Sequence, residues 1–190
     1  MHTRDSYKYQ QLPLASAQSS ATIKFLYSNF NSHQFQHLSS KMSPIRDTLI
    51  KTANSYIAGF NTNTAEGVIA SRTADCRQVI RPSSVPPPWN SPPRTNKEYQ
   101  AFVVPGFKIM RNIRISLAEG EDMLVDEVAR KVLLHLTSTG ESDFAPYANE
   151  YMIVLKMTDD GTLIKEIVEF IDSATTRDLA AGLAEHVNPE

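Results

Sequence analysis

Residues 147–172 read YANEYMIVLKMTDDGTLIKEIVEFID. Two runs rich in Ile, Val, Tyr and Phe flank Asp159-Asp160-Gly161, whose residues tolerate the backbone angles of a tight turn. The stretch therefore predicts two antiparallel strands, 147–157 and 162–172, joined as a hairpin. Working backward, the same period of two predicts strands over 112–118 and 123–138, separated by Glu119-Gly120 and Thr139–Pro146. Forward of the hairpin, a short helix over Thr176–His186 closes the chain.

The first half follows a different period. Ile45, Leu49, Ile50, Ala53, Tyr56, Ile57 and Phe60 recur at helical spacing, with Ser43 as N-cap and Pro44 at the first helical position. Asn61-Thr62-Asn63 ends this helix. A short second helix is expected over Ala65–Ser71, and a first strand over Cys76–Ile80. Arg81 to Arg94 then holds six prolines around Trp89, the chain's single tryptophan. Such a run makes neither helix nor central strand, so it is a stiff loop that either plugs the core with Trp89 or lids a pocket with it. Thr95-Asn96-Lys97-Glu98 is a capping box opening a helix with Tyr99, Phe102 and Val103 on one face, interrupted at Pro105-Gly106. Helices followed by a run of strands give an α+β fold, a curved antiparallel sheet packed on N-terminal helices.

Composition narrows the function classes. The chain has 190 residues, 41% hydrophobic and 21% charged, the balance of a globular domain. No apolar stretch is long enough to cross a bilayer, so no membrane partner is expected. Arg4, Lys8, Lys24 and Lys41 face only Asp5 in residues 1–41; removing them from the 19 basic and 21 acidic residues leaves a net of −5 over 42–190. An acidic domain without a basic stripe is a poor nucleic-acid binder, because that binding depends on neutralising phosphates. The single cysteine, Cys76, excludes an intramolecular disulfide and fits a reducing, cytoplasmic setting. Residues 1–42, rich in Ser, Gln and His, offer no buriable face and read as a disordered or dispensable extension; the domain proper spans 43–190.

Four strings, in this order and spacing, carry a likeness: Arg72-Thr73-Ala74-Asp75-Cys76, Pro146-Tyr147-Ala148-Asn149-Glu150-Tyr151, Thr158-Asp159-Asp160-Gly161 and Glu169-Phe170-Ile171-Asp172. Over residues 43–186 the domain resembles the SnoaL-like polyketide cyclase group of the nuclear transport factor 2-like superfamily, in its small fungal, biosynthetic-cluster form. The resemblance implies a cone-shaped barrel around a deep apolar pocket, usually in a homodimer. It also implies cofactor-independent cyclisation, isomerisation or dehydration of a polyketide or meroterpenoid intermediate. Non-catalytic binding or scaffold proteins share the fold, so a ligand-binding role is the alternative.

Proton-shuffling chemistry needs an acid, a base and a donor for developing negative charge, with apolar walls to raise carboxyl pKa values. The candidates are His135, in an otherwise apolar strand; Glu150, at the start of another; and Glu169 and Asp172, whose spacing of three sends them to opposite faces of a regular strand. Each has a plainer reading, as a hydrogen-bonded core group, a strand cap or a solvated edge charge. His135 is expected to enter the pocket paired with one of the carboxylates. Tyr56, Trp89, Phe102 and Tyr151 are the candidate substrate contacts, though packing alone explains Tyr56 equally well. Arg72 and Asp75 are expected to tie a turn, and Cys76 to behave as a small buried hydrophobe. No histidine–carboxylate pair has ligand spacing and no glycine-rich phosphate loop occurs, so neither metal nor cofactor is expected.

Overall fold

The computed structural model describes residues 43–142 and 146–187, and the expectation for residues 1–42 lies outside them. Helix α1 (Pro44–Phe60) opens as the sequence suggests, with the Ser43 hydroxyl accepting from the Arg46 amide at 3.2 Å and Pro44 in the first turn. It buries Leu49, Thr52, Ala53 and Tyr56. Two polar ties dock it on the sheet. Thr52 Oγ1 donates to the Gly161 carbonyl at 2.7 Å, and the Asn61 side chain both donates to and accepts from the Ile115 backbone, at 2.9 and 2.8 Å. Gly161 has φ +75°, and a Cβ there would lie 3.1 Å from Ile45 and 3.2 Å from Leu49, so α1 rides directly on the hairpin turn.

The second helix expected over Ala65–Ser71 is a single 3₁₀ turn, Gly67–Ile69. Ser71 adopts φ 62°, and its carbonyl accepts from the Ile164 amide at 2.8 Å, which pulls the chain into strand β1 (Arg72–Arg81) four residues earlier than expected. Helix α2 (Asn96–Val103) has both arms of its capping box, and α3 (Gly106–Ile109) follows Pro105 as one short turn.

Strands β2 (Met110–Leu117), β3 (Leu124–Asp126), β4 (Lys131–Ser142), β5 (Tyr147–Met157) and β6 (Ile164–Ile171) complete one six-stranded sheet in the order β1-β6-β5-β4-β2, with β3 also on β4. The strand expected over 123–138 is thus two. Asp126 Oδ1 accepts from the Val128 and Ala129 amides and Arg130 takes φ 54°, so the chain folds back on itself as a hairpin. A second departure is that β1 pairs parallel to β6, the rest of the sheet being antiparallel. No hairpin constrains that pair, since residues 82–163 connect the two strands. Helix α4 (Ser173–Val187) starts three residues before the expected position.

Alternation sorts the sheet's faces. Val132, Leu134 and Leu136 of β4, Ile153, Leu155 and Met157 of β5, and Ile164 and Ile167 of β6 all point toward α1 and are essentially inaccessible. Burying each such side chain contributes about 1.5–3 kcal/mol. Their neighbours in sequence point the other way.

Candidate active site

A cavity of about 260 Å³ opens between the inner sheet face and the helices. Tyr56 and Phe60 of α1 and Tyr99 and Phe102 of α2 form one side; Ile115, Leu136 and Ile153 form the sheet side. Trp89 and Pro88 close it from the proline-rich loop, and Leu179 and Leu183 of α4 from another direction. Among the described residues lining it, Glu169 is the one carboxyl.

Glu169 is 8% exposed and shares its face of β6 with Ile167 and Ile171. Gln78 of β1, itself 1% exposed, donates from Nε2 to Glu169 Oε2 at 2.6 Å. Burial pushes the Glu169 carboxyl above its usual range, while the Gln78 amide and the positive charges of Arg72 and Arg94 pull the other way. Desolvation prevails, so the carboxyl titrates above the ordinary carboxylate range. Arg72 is also buried, its guanidinium carbon 4.5 Å from the Tyr99 ring centre and 6.0 Å from that of Tyr56. Its Nε and Nη2 have no hydrogen-bond partner among the described residues. Burial likewise raises the phenols of Tyr56 and Tyr99, so both remain donors.

A second polar group lies two residue pairs along the β5–β6 ladder, where Tyr151 stands opposite Ile171. Its hydroxyl is 2.6 Å from that of Tyr147 and 3.0 Å from Ser138 Oγ, a chain of three hydroxyls at the cavity wall. Two sets of donors thus face an otherwise apolar space.

The sequence candidates divide. Glu169, Tyr56, Trp89, Phe102 and Tyr151 meet at this cavity. His135 and Glu150 do not. His135 does pair with a carboxylate, its Nε2 donating to Glu150 Oε1 at 2.5 Å with Glu121 Oε1 3.8 Å from Nδ1, but on the opposite face of the sheet. Leu134 and Leu136 occupy the inward positions of β4, and one-residue alternation sends His135 outward. Asp172 lies just past β6 and caps α4, accepting from the Ala174 and Thr175 amides at 2.8 and 3.4 Å and from the Thr175 hydroxyl at 2.8 Å. Those bonds hold its carboxyl below the usual range. The Arg72 expectation also changes: it begins a strand and is clamped between two tyrosines rather than tying a turn. Gln78, Tyr99 and Tyr147 were not among the candidate site residues of the sequence. For Gln78 the available signal was parity, since it shares a strand face with the apolar Cys76 and Ile80.

No family model matches the chain. Austinoid biosynthesis clusters protein H of Penicillium brasilianum is 34% identical over 135 residues, covering 70% of this chain and 89% of that protein. The structure of BvnE pinacolase from Penicillium brevicompactum superimposes with a TM-score of 0.71 at 30% identity, covering 76% of this chain and 99% of that one. The structure of PrhC from Penicillium brasilianum, a protein named an isomerase, gives a TM-score of 0.68 at 27% identity over 75% of this chain and 91% of that one. With these relatives and the helix-backed, unclosed sheet they share, the chain belongs to the fungal biosynthetic-cluster branch of the SnoaL-like, nuclear transport factor 2-fold family.

Proposed function

We propose that the protein is a cofactor-independent isomerase or cyclase of fungal secondary metabolism, acting on a polyketide or meroterpenoid intermediate with Glu169 as its acid–base group. The observation that carries this reading is a buried carboxyl, its pKa raised by desolvation, facing an apolar cavity beside phenolic donors. In its acid form, which desolvation favours relative to an exposed carboxyl, Glu169 carries the proton to be transferred. The proton then passes to a carbonyl, hydroxyl or epoxide oxygen of the substrate, which makes that centre electrophilic. The carboxylate left behind is stabilised by the Gln78 amide and by the charges of Arg72 and Arg94. After a C–C or C–O bond has shifted, the same carboxylate takes a C–H or O–H proton from the product-forming intermediate. Atoms and electrons balance within one substrate, so the chemistry requires no redox partner. The Tyr147–Tyr151–Ser138 hydroxyls suit a second oxygen function and fix the orientation of a rigid polycycle.

The test is expression of wild type and Glu169→Gln in a fungal host carrying the neighbouring biosynthetic genes, with products read by mass spectrometry. A rearranged product of unchanged mass that disappears in the variant supports the assignment; an identical product profile overturns it and favours the binding-protein alternative.

The assembly belongs to the same proposal. Leu133, Val154 and Val168 align across the outer face, next to Met152 and Phe170, which are 40% and 48% exposed. A second copy of the chain would cover this patch. Sedimentation at micromolar concentration should return a dimer mass, and Phe170→Asp should return a monomer. We place the protein in the cytoplasm on the strength of its unpaired, buried Cys76; among the described residues no helix is long and apolar enough to cross a membrane.

A further inference from the structure

The segment 82–93 walls the cavity through Pro88 and Trp89 with little secondary structure of its own. Its prolines lack amide donors, so it cannot join a strand ladder, and its carbonyls must find donors elsewhere. Several bonds are internal, such as Asn90 Nδ2 to the Ser83 carbonyl at 2.5 Å and the Trp89 amide to the Pro86 carbonyl at 3.0 Å. Apolar attachment comes from Val85, buried with Ile80 and Ile171.

The polar attachment is Arg94, at the point where the segment rejoins the fold. Its backbone exchanges two hydrogen bonds with Gln78, at 2.8 and 2.9 Å. Its Nη2 donates back across the segment to the Pro88 carbonyl. Its guanidinium carbon stands 4.0 Å from the Phe102 ring centre, and the Trp89 ring meets Phe102 edge-on at 6.2 Å. A planar, permanently charged group that stacks and donates at once suits this position; an ammonium does not.

We propose that Arg94 is a positioning residue that latches segment 82–93 over the cavity mouth. The mouth then opens by release of the Pro88 carbonyl and the stacked Phe102 ring, while the hydrophobic core stays intact. Arg94 stays anchored by its backbone to Gln78, the residue whose amide holds Glu169, so the latch and the acid share one support. Closure excludes water from the carboxyl and so maintains the burial that raises its pKa. The inference rests on the reading of this cavity as the substrate site.

Trp89 is the chain's single tryptophan and reports the latch without any substrate. Acrylamide quenching of its fluorescence should rise at least about twofold in Arg94→Met, as a half-buried indole becomes freely accessible. Affinity for the neutral apolar probe N-phenyl-1-naphthylamine should fall about tenfold with loss of a charge-assisted hydrogen bond and of the cavity wall. Arg94→Lys should fall between the two on both readings, and it decides the matter if Arg94→Met does not fold. A lowered melting temperature with unchanged quenching and probe affinity would mark Arg94 as merely structural and overturn the proposal. Failure of the wild type to bind the probe would instead count against the cavity as a ligand site, leaving the quenching result to judge the latch.

Discussion

On the inner face of the sheet, Gln78 donates to Glu169 at 2.6 Å; on the outer face, His135 donates to Glu150 at 2.5 Å. Both are carboxylates with a nitrogen donor close by, yet they are suited to different ends. The Glu150 side chain is 62% exposed and that of His135 27%, so water and salt screen the pair and its net contribution is at most about 1 kcal/mol. Glu169 lies in a space where desolvation outweighs its favourable partners and raises its pKa. Geometry alone would rank the histidine pair first as an acid–base couple. Burial reverses the order.

The widest separation between the faces is expected in turnover. Glu169→Gln should lower kcat by about 100- to 10,000-fold, the range for loss of a general acid–base group, whereas His135→Ala should leave it within about twofold. Equal losses from both variants, in a protein that still folds, would end the distinction between the faces.

Stability should divide the faces next. Leu134→Ala, on the inner face at 0% exposure, should cost about 2–5 kcal/mol in a denaturant melt. Its outward neighbour Leu133, replaced in the same way, should cost less than half as much in the monomer.

A third difference is in pH. The folded-state value of the Glu169 carboxyl lies above its ordinary 4.5, so the native state binds more protons than the unfolded chain in the window above 4.5. Its contribution to stability is therefore complete below that value and is lost as pH rises through the raised one. Glu169→Gln should flatten this part of the stability profile, and if Glu169 acts as the acid, the alkaline limb of wild-type kcat should lie above 4.5. The smallest effect is expected outside: Glu150→Gln should change the melting free energy by less than about 1 kcal/mol, and by less still at high salt.

Much of this was readable in the chain. The Ser43 cap, the stripe from Ile45 to Phe60, the Thr95–Glu98 capping box and the Asp159–Gly161 turn are local devices, in which neighbouring residues satisfy one another's hydrogen bonds or share a face. The departures came where distant segments intervened: Ile164 drawing Ser71 into pairing, or β1 joining β6 in parallel. The expectation that His135 enters the pocket failed, although parity groups it with Thr137, Glu150 and Lys156 on one face and Leu134, Leu136, Ile153 and Leu155 on the other.

By itself, then, the sequence determined the α+β order of elements, the hairpin, and which residues of each strand lie on a common face, because these follow from backbone periodicity and local hydrogen bonding. Only the tertiary structure decided which face the helices cover, and with it that Glu169 is desolvated while Glu150 is solvated. It also brought Gln78, Arg72 and Arg94 to Glu169 from 75 or more positions away. Desolvation is a property of the assembled surroundings, and no spacing along a chain encodes it.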